Sequence, residues 1–247
     1  MNTLFTSDSH FGHFNICKYC KRPFITPEYY ALEQRINELK QVDPNHRELP
    51  SLENQLEGAK LKVVDIMDRT MIANWNKVVG PDDVVYHLGD FAVGGGPAGP
   101  YRRQLNGKIH LVIGNHEQRA LRETDLFESV DWMMEIKVDK QDIVLCHYAL
   151  RVWNCSHHGA WALYGHSHGT LPDDPNLLSL DVGVDCWNFT PVSMGQLRTA
   201  MAKKTFKPVD HHNEKTTGSS FRDATPMRAP TGAELKSLAR HEGAAIP

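Results

Sequence analysis

Residues 4–16 read LFTSDSHFGHFNI, a short apolar run followed at once by an aspartate, two histidines and an asparagine. The run is too short for a helix, and together with Thr3 it predicts a buried strand over residues 3–6. Carboxylate and imidazole groups are common ligands of metals and common catalytic groups. The stretch therefore predicts a functional site at the end of the first strand, with partners supplied by the rest of the chain.

The same arrangement recurs along the sequence. Further short runs of apolar residues predict strands over residues 84–88, 109–113, 143–146, 161–164 and 177–182. Polar residues follow the first four of these directly: GD at 89–90, GNHE at 114–117, His147, and GHSH at 165–168. Because open α/β sheets bind ligands beyond the carboxyl ends of their strands, these strand ends indicate one shared site.

The residue types indicate what is bound there. Imidazoles, carboxylates and one amide oxygen suit borderline divalent metals, with manganese first and iron, zinc, nickel or cobalt as alternatives. Seven candidate ligands suffice for two ions if one carboxylate bridges them: Asp8, His10, Asp90, Asn115, His147, His166 and His168. A pair of ions activates water and stabilises both oxygens of an in-line displacement at phosphorus, so the set predicts hydrolysis of a phosphate ester.

The ordered series DxH, GD, GNHE, H and GHxH over residues 8–168 resembles the calcineurin-like metallophosphoesterase superfamily, along roughly residues 1–200. The stretches TSDSHFGHFNI, VYHLGDF and ALRVWNCSHHGAWALYGHSHG look like its small bacterial and phage branch. The resemblance implies a four-layered α/β/β/α sandwich of two mixed sheets flanked by helices. It also implies hydrolysis by activated water without a covalent intermediate. The GDxVDRG pattern of protein phosphatases is missing, since Phe91 and Ala92 follow the GD pair.

Carried over to this sequence, the resemblance implies two overlapping ligand sets that share Asp90. One is Asp8, His10, Asp90 and His168, and the other is Asp90, Asn115, His147 and His166. Asp90 and His116 would be the catalytic residues, because His116 would contact the phosphate and protonate the leaving alkoxide while Glu117 orients it. Asn115 would also contact the substrate.

Two further residues are candidates for substrate binding. His13 follows the first ligands in the same loop, where a role facing the substrate and a structural hydrogen bond are equally expected. Arg151 lies between the His147 and His166 motifs, and a guanidinium group clamps phosphate well. We therefore prefer Arg151 to the neighbouring His157 and His158.

The 247 residues suit one main domain, which we place at 1–204 as the catalytic domain. Thr26, Pro27 and Glu28 begin a predicted helix that Asp43 and Pro44 end, and a second helix is expected from about Ser51 to Gly80. The helical excursion at about 33–62 is either a hairpin over the core or a solvated segment, and its polarity favours the solvated segment. Residues 205–247 are polar and predict a flexible tail with one short helix at 232–240.

The formal net charge of −3 gives no general attraction for nucleic acid, so a nucleic-acid partner is not favoured. No export signal or membrane-spanning run is evident, and we expect a cytoplasmic protein with no membrane partner. The sequence leaves the oligomeric state open. Cys17 and Cys20 have the spacing of half a zinc-binding knuckle, but no second pair completes it, so packing is the preferred interpretation.

The preferred function is therefore a metal-dependent phosphodiesterase or phosphatase acting on a small phosphorylated molecule such as a nucleotide. One alternative is a nuclease for DNA or RNA, which would need a basic groove. Another is a catalytically silent scaffold stabilised by metal, which would have lost ligands. All seven candidate ligands are present.

Overall fold

Nine strands form two mixed sheets in a computed structural model of the protein, which describes residues 1–92, 98–116 and 124–209. The first sheet has the order β4-β3-β2-β1-β9. Its strands are β1 Thr3–Thr6, β2 Val84–His87, β3 Lys108–Val112, β4 Ser129–Asp131 and β9 Val192–Ser193. Strands β1 to β4 are parallel, and β9 is antiparallel to β1.

The second sheet has the order β5-β6-β7-β8. Its strands are β5 Met133–Val138, β6 Gln141–Cys146, β7 Trp161–Tyr164 and β8 Ser179–Asp181. Strand β5 is antiparallel to β6, while β6, β7 and β8 are parallel. The predicted α/β architecture with two mixed sheets is confirmed.

One buried cluster joins the two sheets. It contains Phe5, Leu88 and Val112 from the first sheet and its strand ends, and Ile143, Leu145 and Leu163 from the second. Helix α5, Met194–Met201, adds Leu197 to the cluster, and a capping box between Ser193 and Gln196 begins this helix. The packing fixes the sheets face to face, so the ends of strands from both sheets can meet at one edge.

Helices cover the other face of the first sheet. Side chains of α3, Leu49–Val78, pack on the alternate residues Leu4, Val85 and Ile109, which point away from the second sheet because the side-chain period of a strand is two. Two shorter helices, α1 Phe14–Tyr19 and α4 Gly99–Arg102, complete this side. Cys17 of α1 is buried against Met67, in keeping with a packing role.

The 33–62 segment corrects the preference for a solvated excursion. Helix α2, Pro27–Val42, begins at Thr26, whose side chain accepts a hydrogen bond from the Tyr29 N–H at 3.3 Å. It forms a helical hairpin with α3, and the hairpin buries an apolar cluster of its own: Ile36, Leu39 and Leu49, with Leu52 and Leu56 packed against it. The sequence analysis missed this cluster because its few apolar residues are spread among many polar ones.

The outer face of the second sheet is packed differently. Val144 and Ala162 contact Trp153 and Ala160, which belong to the segment between β6 and β7. The helical fourth layer of the predicted sandwich thus remains an expectation. Beyond α5, Thr205 and Lys207 donate backbone hydrogen bonds at 2.7 Å to Pro175 and Asn176. Residues 210–247 of the predicted tail, including the 232–240 helix, lie outside the described residues.

Among the helices that the structure describes, none combines the length and the apolar character needed to cross a membrane.

Candidate metal centre

The strand ends converge at one edge, as the sequence predicts. Because β1 and β2 are parallel neighbours, the segments that follow them run side by side, and Asp8 and His10 donate backbone hydrogen bonds to Gly89 and Asp90 at 2.9 Å. The same holds in the second sheet, where Gly165 donates its N–H to the His147 carbonyl at 3.0 Å. All seven candidate ligands lie around this edge.

Five of the seven have a left-handed backbone, a conformation that residues other than glycine rarely adopt. Their φ angles are 58° at Asp8, 50° at His10, 56° at Asp90, 65° at His166 and 47° at His168. Each such residue costs about 1–3 kcal/mol and persists only where the surroundings enforce it, which is typical of functional sites.

The ligand atoms form two groups. Potential ligand atoms of Asp8, His10 and His168 lie within 4.8 Å of one another, and so do those of Asp90, His147 and His166. The Asn115 side-chain oxygen joins the second group, at 3.0 Å from both His147 Nε2 and His166 Nδ1. Cys20, His168 and Asp185 form a third group of this kind, which shares His168 with the first.

Asp90 lies between the groups. Its Oδ2 atom is 3.5 Å from His10 Nε2 on one side and 3.7 Å from His147 Nε2 on the other. Its Oδ1 atom accepts a hydrogen bond from the His116 backbone N–H at 3.0 Å, which fixes the orientation of the carboxylate. A carboxylate held in this way is placed to bridge two cations.

The hydrogen bonding of two histidines fits metal ligands. His10 is buried, and neither of its ring nitrogens has a hydrogen-bond partner within the described part of the chain. His147 Nδ1 lies 2.7 Å from the Leu88 carbonyl, to which it donates, so Nε2 presents a lone pair to the Asn115 oxygen. Two lone pairs facing each other call for a cation, so the residues fit divalent metals.

Burial and neighbouring charges shift the pKa values of three candidate ligands in different directions. Burial lowers the pKa of His10 far below its ordinary value, so this imidazole is neutral and able to bind a metal. Burial raises the pKa of Asp8 well above its usual range, and the carboxylates of Asp90 and Asp181 raise it further while His168 opposes them. Burial disfavours charge on His168, but its hydrogen bond with Asp185 prevails and raises its pKa to about 10. Cations bound here would favour the charged form of Asp8 and would take the place of the proton on His168.

The predicted catalytic and substrate-binding residues differ in their contacts with the ligand groups. His116 is exposed, with its ring 5.6 Å from that of His10, and His13 lies 5.7 Å from His10 on the same rim. Burial lowers the pKa of His13, and His116 lowers it further, so the two imidazoles are close enough to interact. Arg151 is exposed, and among the described residues no hydrogen bond or ion pair joins it to the candidate ligands. Glu117 lies outside the described residues.

Other residues of the site were missed by the sequence reasoning. Asp181 and Asp185 lie at and beyond the end of β8, and Asp181 accepts backbone hydrogen bonds from Gly169 and Gly183. Asp181 lies inside the sixth predicted strand and Asp185 follows it, so the strand-end argument could have found Asp185. Arg22 is buried and bonded to Asp185, but its sequence position carried no comparable signal.

No protein-family model matches the chain. The uncharacterized protein MJ1445 of Methanocaldococcus jannaschii is 28% identical over 196 residues, which cover 76% of this chain and 84% of that protein. The gene 66 protein of Mycobacterium phage L5 is 23% identical over 229 residues, covering 75% of this chain and 87% of the phage protein. These similarities link the chain to archaeal and phage proteins without naming an activity.

Two solved structures are similar. A protein of unknown function from Aquifex aeolicus, AQ665, has a TM-score of 0.55 at 18% identity, over 81% of this chain and 98% of the other, which shows a common fold. A novel archaeal phosphodiesterase has a TM-score of 0.36 at 15% identity, over 74% of this chain and 84% of the other. The second likeness is distant, so the argument for activity rests on the site.

Proposed function

We propose that this protein is a phosphoester hydrolase that uses two divalent transition-metal ions, manganese first among them. Its substrate would be a phosphodiester or phosphomonoester of a small molecule, with nucleotides among the candidates. The calcineurin-like metallophosphoesterase assignment and its four-layered sandwich belong to the same proposal, and so does a catalytic domain ending near residue 204.

The position of Asp90 carries the proposal. Its Oδ2 atom stands within 3.7 Å of an imidazole nitrogen on each side, and each imidazole belongs to a separate ligand group. A single ion would need one of these groups, whereas a carboxylate shared by both serves a pair. The neutral His10, with no hydrogen-bond partner among the described residues, supports the same interpretation.

The chain's own residues would divide the work. Ions bound here would supply an activated water and neutralise charge on the phosphoryl oxygens. His116, exposed beside the two groups and anchored through its backbone to Asp90, would donate a ring proton to the leaving oxygen. Asn115 and His13 would contact the phosphate from the same rim. Arg151, between the His147 and His166 motifs, would supply a further contact to the phosphate.

The test compares bis-p-nitrophenyl phosphate with p-nitrophenyl phosphate. Protein stripped of metal by chelation is resupplied with Mn²⁺, and nitrophenolate release is followed for both esters. We expect release that depends on Mn²⁺, and faster cleavage of the diester would identify a phosphodiesterase. If the protein holds two Mn²⁺ ions and cleaves neither ester nor a panel of nucleotides, the proposal is wrong and the scaffold interpretation gains.

A further inference from the structure

One buried arginine connects segments of the metal centre that are far apart in sequence. The Arg22 side chain is fully buried. Its Nε and Nη2 atoms each donate to the Asp185 carboxylate at 2.8 Å, as a bidentate pair. Its Nη2 atom also donates to the Asp8 carbonyl at 2.7 Å, and Nη1 donates to the Ser9 carbonyl at 3.0 Å. A planar guanidinium with this donor pattern cannot be replaced by an ammonium group without losing contacts.

The chain of contacts continues from Asp185 to a candidate ligand. The Oδ2 atom of Asp185 lies 2.7 Å from Nδ1 of His168, so the ring donates its Nδ1 proton to the carboxylate. Nε2 is then the nitrogen left to bind a metal beside Asp8 and His10. A carboxylate behind a metal-binding histidine fixes the ring's orientation and its tautomer.

The same contacts restrain a strained backbone. Asp8 and His10 have left-handed φ angles of 58° and 50°, and the carbonyl groups that Arg22 holds belong to Asp8 and Ser9. His168, at the other end of the chain of contacts, has a φ of 47°. Backbone strain of this kind survives only where the surroundings over-determine it. Arg22 therefore acts on both segments that supply the first ligand group.

The second ligand group has a different support. The Leu88 carbonyl orients His147 at 2.7 Å, and His166 Nδ1 lies 3.0 Å from the Asn115 oxygen within the group itself. Among the contacts described, none joins Arg22 or Asp185 to His147, His166 or Asn115. The ion pair therefore contacts the first ligand group directly and is linked to the second only through Asp8, whose carboxylate accepts a hydrogen bond from the His166 N–H.

We propose that Arg22 and Asp185 are positioning residues for the metal held by Asp8, His10 and His168. Through them the protein selects Nε2 of His168 as the metal-binding nitrogen. The inference rests on the proposed function only in that it needs a two-metal centre. It does not depend on which ester is cleaved.

The test is a titration of metal-stripped protein with Mn²⁺ by calorimetry, with the stoichiometry checked by elemental analysis. For Asp185→Asn and Arg22→Lys we expect one site of unchanged affinity and one weakened about 10- to 100-fold. The matched control is Arg102→Lys. Arg102 also donates to three backbone carbonyls, those of Leu126, Leu105 and Gly107, but it lies at the opposite end of β3 from the site. The Arg102→Lys protein should bind both ions with the affinities of the wild type.

A second measurement needs no variant. In wild-type protein loaded with Zn²⁺, long-range ¹H–¹⁵N NMR of the imidazoles should show that His168 keeps its proton on Nδ1 and binds zinc through Nε2. Zinc on Nδ1, or two unweakened Mn²⁺ sites in folded Asp185→Asn, would overturn the inference. Wild-type protein that binds fewer than two ions would defeat it together with the proposed function. Two bound ions without ester cleavage would defeat only the proposed function.

Discussion

The backbone N–H of His166 donates to both carboxylate oxygens of Asp8, at 3.1 and 2.9 Å, across 158 residues of sequence. The contact joins the ends of β1 and β7, which belong to different sheets. It brings the first ligand group against the loop that carries the second. The geometry of the centre therefore depends on how closely the two sheets approach.

Gly165 makes that approach possible. A Cβ atom at this position would lie 2.5 Å from Asp8 Oδ2 and closer still to Ser7 Oγ. We expect Gly165→Ala to destabilise the protein by about 1–3 kcal/mol, because the crowded atoms must move apart. Urea unfolding measures the change. The control is Gly58→Ala on α3, where a Cβ meets nothing within 4 Å and a gain of about 0.5–1 kcal/mol is expected. Equal unfolding midpoints for the two variants would argue against the close approach.

Replacing the proposed bridge should affect both ions. Asp90→Asn keeps the shape of the side chain and its contact with the His116 N–H, but removes the negative charge shared by the two groups. We expect the affinity for Mn²⁺ to fall at least about 100-fold at one site and turnover to fall with it. Metal content after gel filtration and ester hydrolysis measure the two effects. Full occupancy of both sites in this variant would show that Asp90 is not a bridge.

The strands that support the site could be predicted because their residues are apolar over four to six positions. All six predicted strands are present, and β1 and β7 have the predicted bounds. The missed strands lack that signal. In β5, exposed and half-buried residues alternate at a sheet edge, and Glu135 and Lys137 dilute its hydrophobicity. Strands β4 and β9 have three and two residues, too few for any period to show.

The residues of the site also divide into those that the sequence could predict and those that it could not. Candidate ligands could be predicted because each follows a strand directly, so a local pattern carries global information. Arg22 could not, because its role arises from a contact with Asp185, 163 residues away. Helix α5 is an intermediate case, since Ser193 and Gln196 form a capping box that the sequence displays but that the hydrophobic pattern alone does not reveal.

Asp68 gives the stability a dependence on pH. This residue of α3 is buried and accepts hydrogen bonds from the Gly12 N–H at 3.2 Å, and burial raises its pKa from 3.8 to about 6. The folded state therefore binds a proton that the unfolded state releases between about pH 4 and 6, so this contribution to stability falls as the pH rises through that window.

The variant Asp68→Asn should remove this dependence. A difference of about two pKa units corresponds to an upper limit of about 3 kcal/mol. Relative to the wild type, the variant should thus gain stability from pH 4 to pH 7. Urea unfolding of both proteins at the two pH values measures it, with Glu57→Gln, an exposed position on the same helix, as the control. A constant difference between Asp68→Asn and wild type would contradict the prediction.

His116 separates an enzyme from a scaffold. Its ring is exposed and belongs to neither ligand group, while its backbone N–H donates to the proposed bridge. His116→Asn should therefore keep both Mn²⁺ ions and the wild-type unfolding midpoint, while turnover falls by about 10²- to 10⁴-fold because proton donation to the leaving oxygen is lost. The loss should be larger for an ester with a poor leaving group, such as an alkyl phosphate, than for a nitrophenyl ester, which needs little protonation.

His110→Asn, on β3 and hydrogen-bonded to Ser129, is the control that should leave turnover unchanged. Equal losses for both kinds of ester would assign His116 to binding of the phosphate rather than to proton transfer, and no loss at all would remove it from the site.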